Sequence, residues 1–397
     1  MFLTAAKTFL LIQNLCVSVC ALLLAGFIGY RDRIDPQYLE AAIVGVSVAS
    51  IILASIARLA SSGVNIIIQK DWIVVIAEND TDRLAKMNSI LRTIELTTYM
   101  LAPAAAGQLF TYLGFVLTGV FIAAWNVVSV CLEYLLLVMI YRKYPKLAAF
   151  KTTDDDTDSD SSAEDDQEKN PVKEAVAGWK TYMNHPVRNA GLGLAFLFLT
   201  VLGFDNITYG YCLLQGVPHA ALGVLVAVSA LVGVLSSLAY PAIRKRVGLE
   251  RTGLMGMFLL ISCSSLAVVS AFLPGSPMDL QWFVVTDTQN NTNSSTAIPD
   301  IEGDALTFDT YWQSFGSVSI FLTGIILARF GLWLVDLTVN QILQERVSED
   351  KRGVVNGVQD SINNTFDLLK CIFVILLPSQ ETFALLIFIS FASINFG

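Results

Sequence analysis

The chain has 397 residues, 54% of them hydrophobic and only 15% charged, where a soluble domain carries about 25% charged residues. Its formal net charge is −9 and no basic field is present, which excludes a soluble globular enzyme and a nucleic-acid binder and points to a membrane protein. Six cysteines stand singly with no CxxC pair, so neither a disulfide framework nor a zinc site is indicated.

Hydrophobic length and low charge predict ten membrane spans. Four come first, at residues 9–30, 39–68, 87–113 and 115–141. Six follow, at 190–214, 220–242, 253–273, 317–341, 354–377 and 383–397. Alternate loops are basic: Lys70, Arg83 and Lys86; Arg142, Lys143 and Lys146; Arg244, Lys245, Arg246 and Arg251; Arg346, Lys351 and Arg352. Basic loops belong on the cytoplasmic side. The base-free loop 274–315 is therefore outside, and it carries N-glycosylation sequons at Asn290 and Asn293.

Between the two sets of spans lies a polar segment. Residues 154–168 hold nine acids and no base, and the other 25 acids balance the 25 Lys and Arg. Dense like charge and low hydrophobicity predict a disordered cytoplasmic linker. Ser159, Ser161 and Ser162 sit among the acids; they read either as phosphorylation sites or as parts of a solvated linker. The expected layout is a first lobe at 1–141, a linker at 142–188 and a second lobe at 189–397.

The stretch 195–216, AFLFLTVLGFDNITYGYCLLQG, is long enough to span. Its centre holds Gly203, Asp205, Asn206, Thr208 and Gly210. A mid-membrane aspartate costs roughly 2.5–3.5 kcal/mol unless it faces a polar cavity or a partner, and the glycines allow local unwinding. One reading is a broken transporter helix that presents backbone oxygens and a carboxylate to a cation. The other is a close helix contact with the aspartate in an internal pair. Two six-span halves are the major-facilitator pattern, and the tight basic turn at 244–248 suits it. The second half has six spans. The first has four, so its first two spans are expected to be missing. The fold class is thus all-α: a polytopic, two-lobe helical bundle, major-facilitator-like.

Several ordered blocks resemble the ferroportin family, the ferrous-iron exporters of solute carrier family 40. They are QKDWIVVIA (69–77), MNSILRTIE (87–95), LAPAAAGQ (101–108), WNVVSVCLEY (125–134), ARFGLWLVDLTVNQILQE (328–345) and RGVVNGVQDSINNTFDLL (352–369). The likeness runs from about residue 11 to the C-terminus and lapses in the acidic linker and the outer loop. It implies that the family's first two spans, with an Asp–His metal site on the first, are absent here.

The resemblance implies a calcium site that joins the family's first-span aspartate to Gln13, Asn126 and Glu133, with calcium as an activating ion and no tightly bound cofactor. The three polar residues also read as an interhelical hydrogen-bond cluster. In the second lobe the family's iron site joins the span-seven aspartate, here Asp205, to a cysteine and a histidine. Those two positions hold Asn206 and Lys370. An amide is a weak ligand, and a protonated lysine is none. The lost cysteine argues against hepcidin-type control. Lys370 can pair with Asp367 one turn earlier, bridge to Asp205, or snorkel to the interface. The inner gate of the family maps onto Arg92 and Asp336, with Asp71 and Arg352 as a second pair. Arg58 stands in a span where the family tends to have a neutral polar residue. His185 and His219 read as surface residues.

The expected protein is a monomeric, multi-pass transporter in the cell membrane, exporting iron(II) by alternating access. Its partners are the lipid bilayer and the metal. The alternatives are an exporter of manganese, cobalt or another divalent metal, and a non-transporting regulatory relative. No nucleophile–base set or phosphate loop suggests an enzyme.

Overall fold

Long runs of Leu, Ile, Val and Ala leave a chain in an apolar medium with one local way to satisfy its N–H and C=O groups, the helix. The computed structural model describes residues 2–78, 80–144, 171–203, 206–273, 276, 308–377 and 382–397. Among them every regular element is helical.

The order begins with α1 (Phe2–Tyr30), a 3-10 turn (Arg31–Arg33) and α2 (Pro36–Asn65). A π-helical turn (Ile66–Trp72) leads into α3 (Ile73–Ala77), followed by α4 (Thr81–Lys143). Then come α5 (Pro171–Met183), α6 (Arg188–Phe198), α7 (Asn206–Leu214), α8 (His219–Val247) and α9 (Leu249–Ser270). The last three are α10 (Phe308–Arg346), α11 (Glu349–Leu376) and α12 (Phe383–Phe396). The acidic run, Ser159, Ser161, Ser162 and the two outer-loop sequons at Asn290 and Asn293 lie outside the described residues.

Six helical stretches among the described residues are long and apolar enough to cross a bilayer: Leu3–Tyr30, Pro36–Ala77, Gln108–Lys143, Ala221–Val247, Leu249–Ser270 and Gly316–Arg346. The other four expected spans fall on weaker segments. The first part of α4 carries Arg92 and Glu95, α6 and α7 are separated by a break, α11 is charged and polar, and α12 is short.

Local chemistry explains the boundaries. Gly114 (φ 73°) interrupts α4 between the expected spans 87–113 and 115–141, at a backbone conformation that side chains resist. Asp80 caps α4, its carboxylate accepting from the Asp82 and Arg83 N–H groups at 2.9 and 3.0 Å. Lys70 and Asp71 were expected on a loop edge. They lie in helix instead, because the chain adds a π turn and continues to Ala77, stopping where Glu78 turns left-handed.

The chain forms two compact units. The first collects Met1–Leu84, Leu101–Lys180 and Val347–Gly357. Its apolar core is built on Ala6, Leu10, Ile67, Trp72 and Leu137. The second collects Ala85–Met100, Thr181–Arg346 and Val358–Gly397. Here α9 and α10 meet backbone to backbone. A Cβ on Gly331 would stand 2.5 Å from the Gly256 carbonyl oxygen. Small residues at such a crossing are how membrane helices gain packing without a hydrophobic drive.

Candidate functional site

The second unit contains a helix that comes apart inside an apolar run. Helix α6 ends at Phe198, and residues 199–203 are not helical. Buried backbone groups freed in this way need new partners, and α12 supplies two of them. Ser393 donates to the Phe196 carbonyl at 2.7 Å, and Ser390 Oγ accepts from the Val201 N–H at 2.9 Å. Thr208 on α7 donates to the Val201 carbonyl at 2.7 Å, and Thr200 Oγ1 accepts from the Leu202 N–H at 3.0 Å. Gly203 lies against Arg329, close enough that a Cβ would stand 3.1 Å from the guanidinium. The break is therefore a built feature, with the Val201 N–H and C=O and the Leu202 N–H all given side-chain partners. Asp205 lies outside the described residues, and Asn206 opens α7.

In the same unit Arg92 forms an ion pair with Asp336. Arg92 also contacts Glu95 at 2.9 Å and lies 4.6 Å over the Trp333 ring. Asp336 is 9% exposed, and a lone carboxylate at that depth would be costly, so the pair and the cation–π contact belong together. The Trp333 indole is seated on Gly233, where a Cβ would meet Nε1 at 2.6 Å.

A polar ladder flanks the pair. Asn88 donates to Gln344 at 2.6 Å and Ser89 to the Ser237 carbonyl at 2.5 Å. Tyr240 donates to Gln341 at 2.6 Å, and Arg244 pairs with Glu345 at 3.2 Å. Sequence reasoning missed these partners. The available signal was spacing: Asn88 and Arg92 are four apart, as are Asp336, Asn340 and Gln344, which puts each set on one helix face.

Asp71 and Arg352 both belong to the first unit. They are near enough to attract electrostatically, yet no hydrogen bond joins them among the described residues. Asp71 Oδ1 and Arg352 Nε are both buried without a partner, while Arg352 Nη2 donates to the Val347 carbonyl at 3.3 Å. On α11 Lys370 pairs with Asp367 at 2.7 Å.

Of the three residues implied for calcium, Glu133 is engaged by others. It accepts from Ser129 at 2.6 Å and from Asn14 at 3.5 Å. Asn126 turns its amide nitrogen back to the Ile122 carbonyl at 2.8 Å. Asn14, buried on α1, meets Glu133 in place of its neighbour Gln13. Adjacent helical residues point about 100° apart, so only one of them can face α4. Calcium takes about six to eight oxygens. Gln13, Asn126 and Glu133 offer one carboxylate and two amides toward that number, and backbone carbonyls or water would have to supply the rest.

The family model described as Ferroportin1 (FPN1) matches residues 1–394. The chain is 37% identical to ferroportin of Homo sapiens, covering 100% of this chain and 78% of that protein. It is 37% identical to solute carrier family 40 member 1 of Danio rerio, with the same coverages. The corresponding member 1 of Oryza sativa is 28% identical over 98% of this chain and 75% of its own length. A crystal structure of a bacterial homologue of the iron transporter ferroportin, in an outward-facing state, matches with TM-score 0.69 at 20% identity. It covers 99% of this chain and 81% of that one, and it establishes the likeness of fold. With a family model across nearly the whole chain and two vertebrate relatives at 37% identity, the chain belongs to the ferroportin family, whose members are transporters and not enzymes.

Proposed function

We propose that this protein exports ferrous iron across the plasma membrane by alternating access, with residues 1–141 and 189–397 as its two lobes and 142–188 as the cytoplasmic linker. The full-chain likeness to ferroportins at 37% identity carries this reading. Two features support it. The break at 199–203, bonded to α12, is irregular backbone of the kind that membrane proteins keep where it is buried in protein or lines a cavity, and transporters use such breaks near their sites. The Arg92–Asp336 pair supplies an inner gate, made when the cytoplasmic mouth is shut and broken when it opens. Lys370, ion-paired with Asp367, stands where the family resemblance implies an iron ligand, which favours a second reading in which the cargo is another divalent metal, such as manganese or cobalt.

The test is efflux from cells expressing the protein after loading with radioiron, radiomanganese or radiocobalt. Export of iron predicts faster iron loss than from cells carrying an empty vector, and slower loss with Arg92→Ala. Faster loss of manganese or cobalt without iron would establish the second reading. No change for any metal would leave a regulatory role and end the transport proposal.

A further inference from the structure

Arg58 lies within the apolar run of α2, and it is exposed. Among the described residues no hydrogen bond or ion pair engages its guanidinium. Helical spacing puts Ser47, Ile51, Arg58, Ser62 and Asn65 on one face, and all but the half-buried Ser62 are exposed. The opposite face is already occupied by α1. Ala57 and Ala60 are buried, and a Cβ on Gly63 would stand 2.8 Å from the Phe9 ring. Rotation cannot therefore hide Arg58 against α1.

The exposed Val44 and Ile51 on this stripe suit lipid, but lipid is a poor neighbour for its charge. A guanidinium at membrane depth needs water or a counter-charge. Lys70, the next base toward the expected cytoplasmic side, is twelve residues further on, about 18 Å of helix and farther than one side chain reaches. The other exposed flank, with Ile52 and Ile56, is apolar and suits lipid.

We infer that the Ser47–Arg58 face of α2 lines an aqueous path for the cargo, and that Arg58 is a fixed positive charge in that path which weakens the hold on a divalent cation. The inference rests on the transport reading above and adds a residue that sets metal affinity. Across water at roughly 8 Å, one positive charge acting on a divalent ion changes its occupancy on the order of five-fold. Repulsion of this size would speed release of a tightly held metal at the expense of affinity.

The experiment has two readouts on the full chain in membrane vesicles of both orientations. Ser47→Cys, Arg58→Cys, Ile52→Cys and Ile56→Cys are treated with a charged, membrane-impermeant thiol reagent, and labelling of the native cysteines is subtracted. Labelling at positions 47 and 58, with background levels at 52 and 56, is expected. Separately, Arg58→Gln should lower the half-saturating iron concentration for transport about five-fold, and Arg58→Lys should restore it. Labelling at 58 no faster than at 52 would overturn the aqueous face, as expected of an arginine snorkelling in lipid. An unchanged half-saturation in Arg58→Gln would overturn the affinity role. Labelling of the stripe with no metal moved by any variant would overturn the transport reading, and with it the role of Arg58, while the water-facing assignment stood.

Discussion

Helices α2 and α10 are about equally apolar and both are long enough to span, yet they live in different surroundings. In Gly316–Arg346 half of the most apolar window is buried, and in Pro36–Ala77 none of it is. Their polar residues differ in the same sense. On α10 the buried Asp336, Gln341 and Gln344 are all bonded to neighbouring helices or turns. On α2 Arg58 is exposed and has no partner among the described residues. Their glycines differ too. Gly331 on α10 meets the backbone of α9, and Gly45 on α2 has nothing within 4 Å of where a Cβ would be. Apolarity reports that a segment avoids water; it does not report whether the neighbour is lipid, protein or a path.

The comparison can be broken first at the ion pair. Arg92→Ala should destabilise the protein by about 3 kcal/mol, since it leaves the Asp336 carboxylate stranded in a mostly buried place, and Asp336→Ala should cost less, because Arg92 keeps Glu95 and the Trp333 ring. Thermal or chemical unfolding in detergent measures this. The double substitution should cost clearly less than the sum; additive losses would mean that the pair is not a unit. A glycine contrast comes next. Gly331→Ala should cost about 1–3 kcal/mol, because backbone atoms of α9 stand in the way of the new methyl group. Gly45→Ala should instead be neutral or stabilising by up to about 1 kcal/mol. Equal effects at the two glycines would erase the distinction between the packed and the open helix. The smallest expected effect is in the first unit. Asn14→Ala should cost about 1 kcal/mol through its lost bonds to Glu133 and the Leu10 carbonyl, and Gln13→Ala almost nothing. The reverse order would restore Gln13 as the partner of Glu133.

Some of this architecture was legible in the amino-acid order. The helical class, the interruption at Gly114 and the weak point around Gly203 all follow from apolar run length and glycine placement, which act within a few residues along the chain. The encounter of Arg92 with Asp336 could be anticipated only from resemblance to the ferroportins, since the two residues are 244 positions apart. Other features had no local signature. Ser390 and Ser393 look like two small polar residues in an apolar helix until the unwound chain at 199–203 is placed beside them. The π turn that carries Lys70 and Asp71 into helix, and the choice of Asn14 over Gln13, depend on how each helix is rotated about its axis. Composition and spacing determine which segments become helices and where they yield, because backbone hydrogen bonding and steric preference are satisfied locally. Which side chains meet was decided only in the folded molecule. A rotation of one residue, about 100°, replaces every partner on a helix face while leaving its hydropathy unchanged.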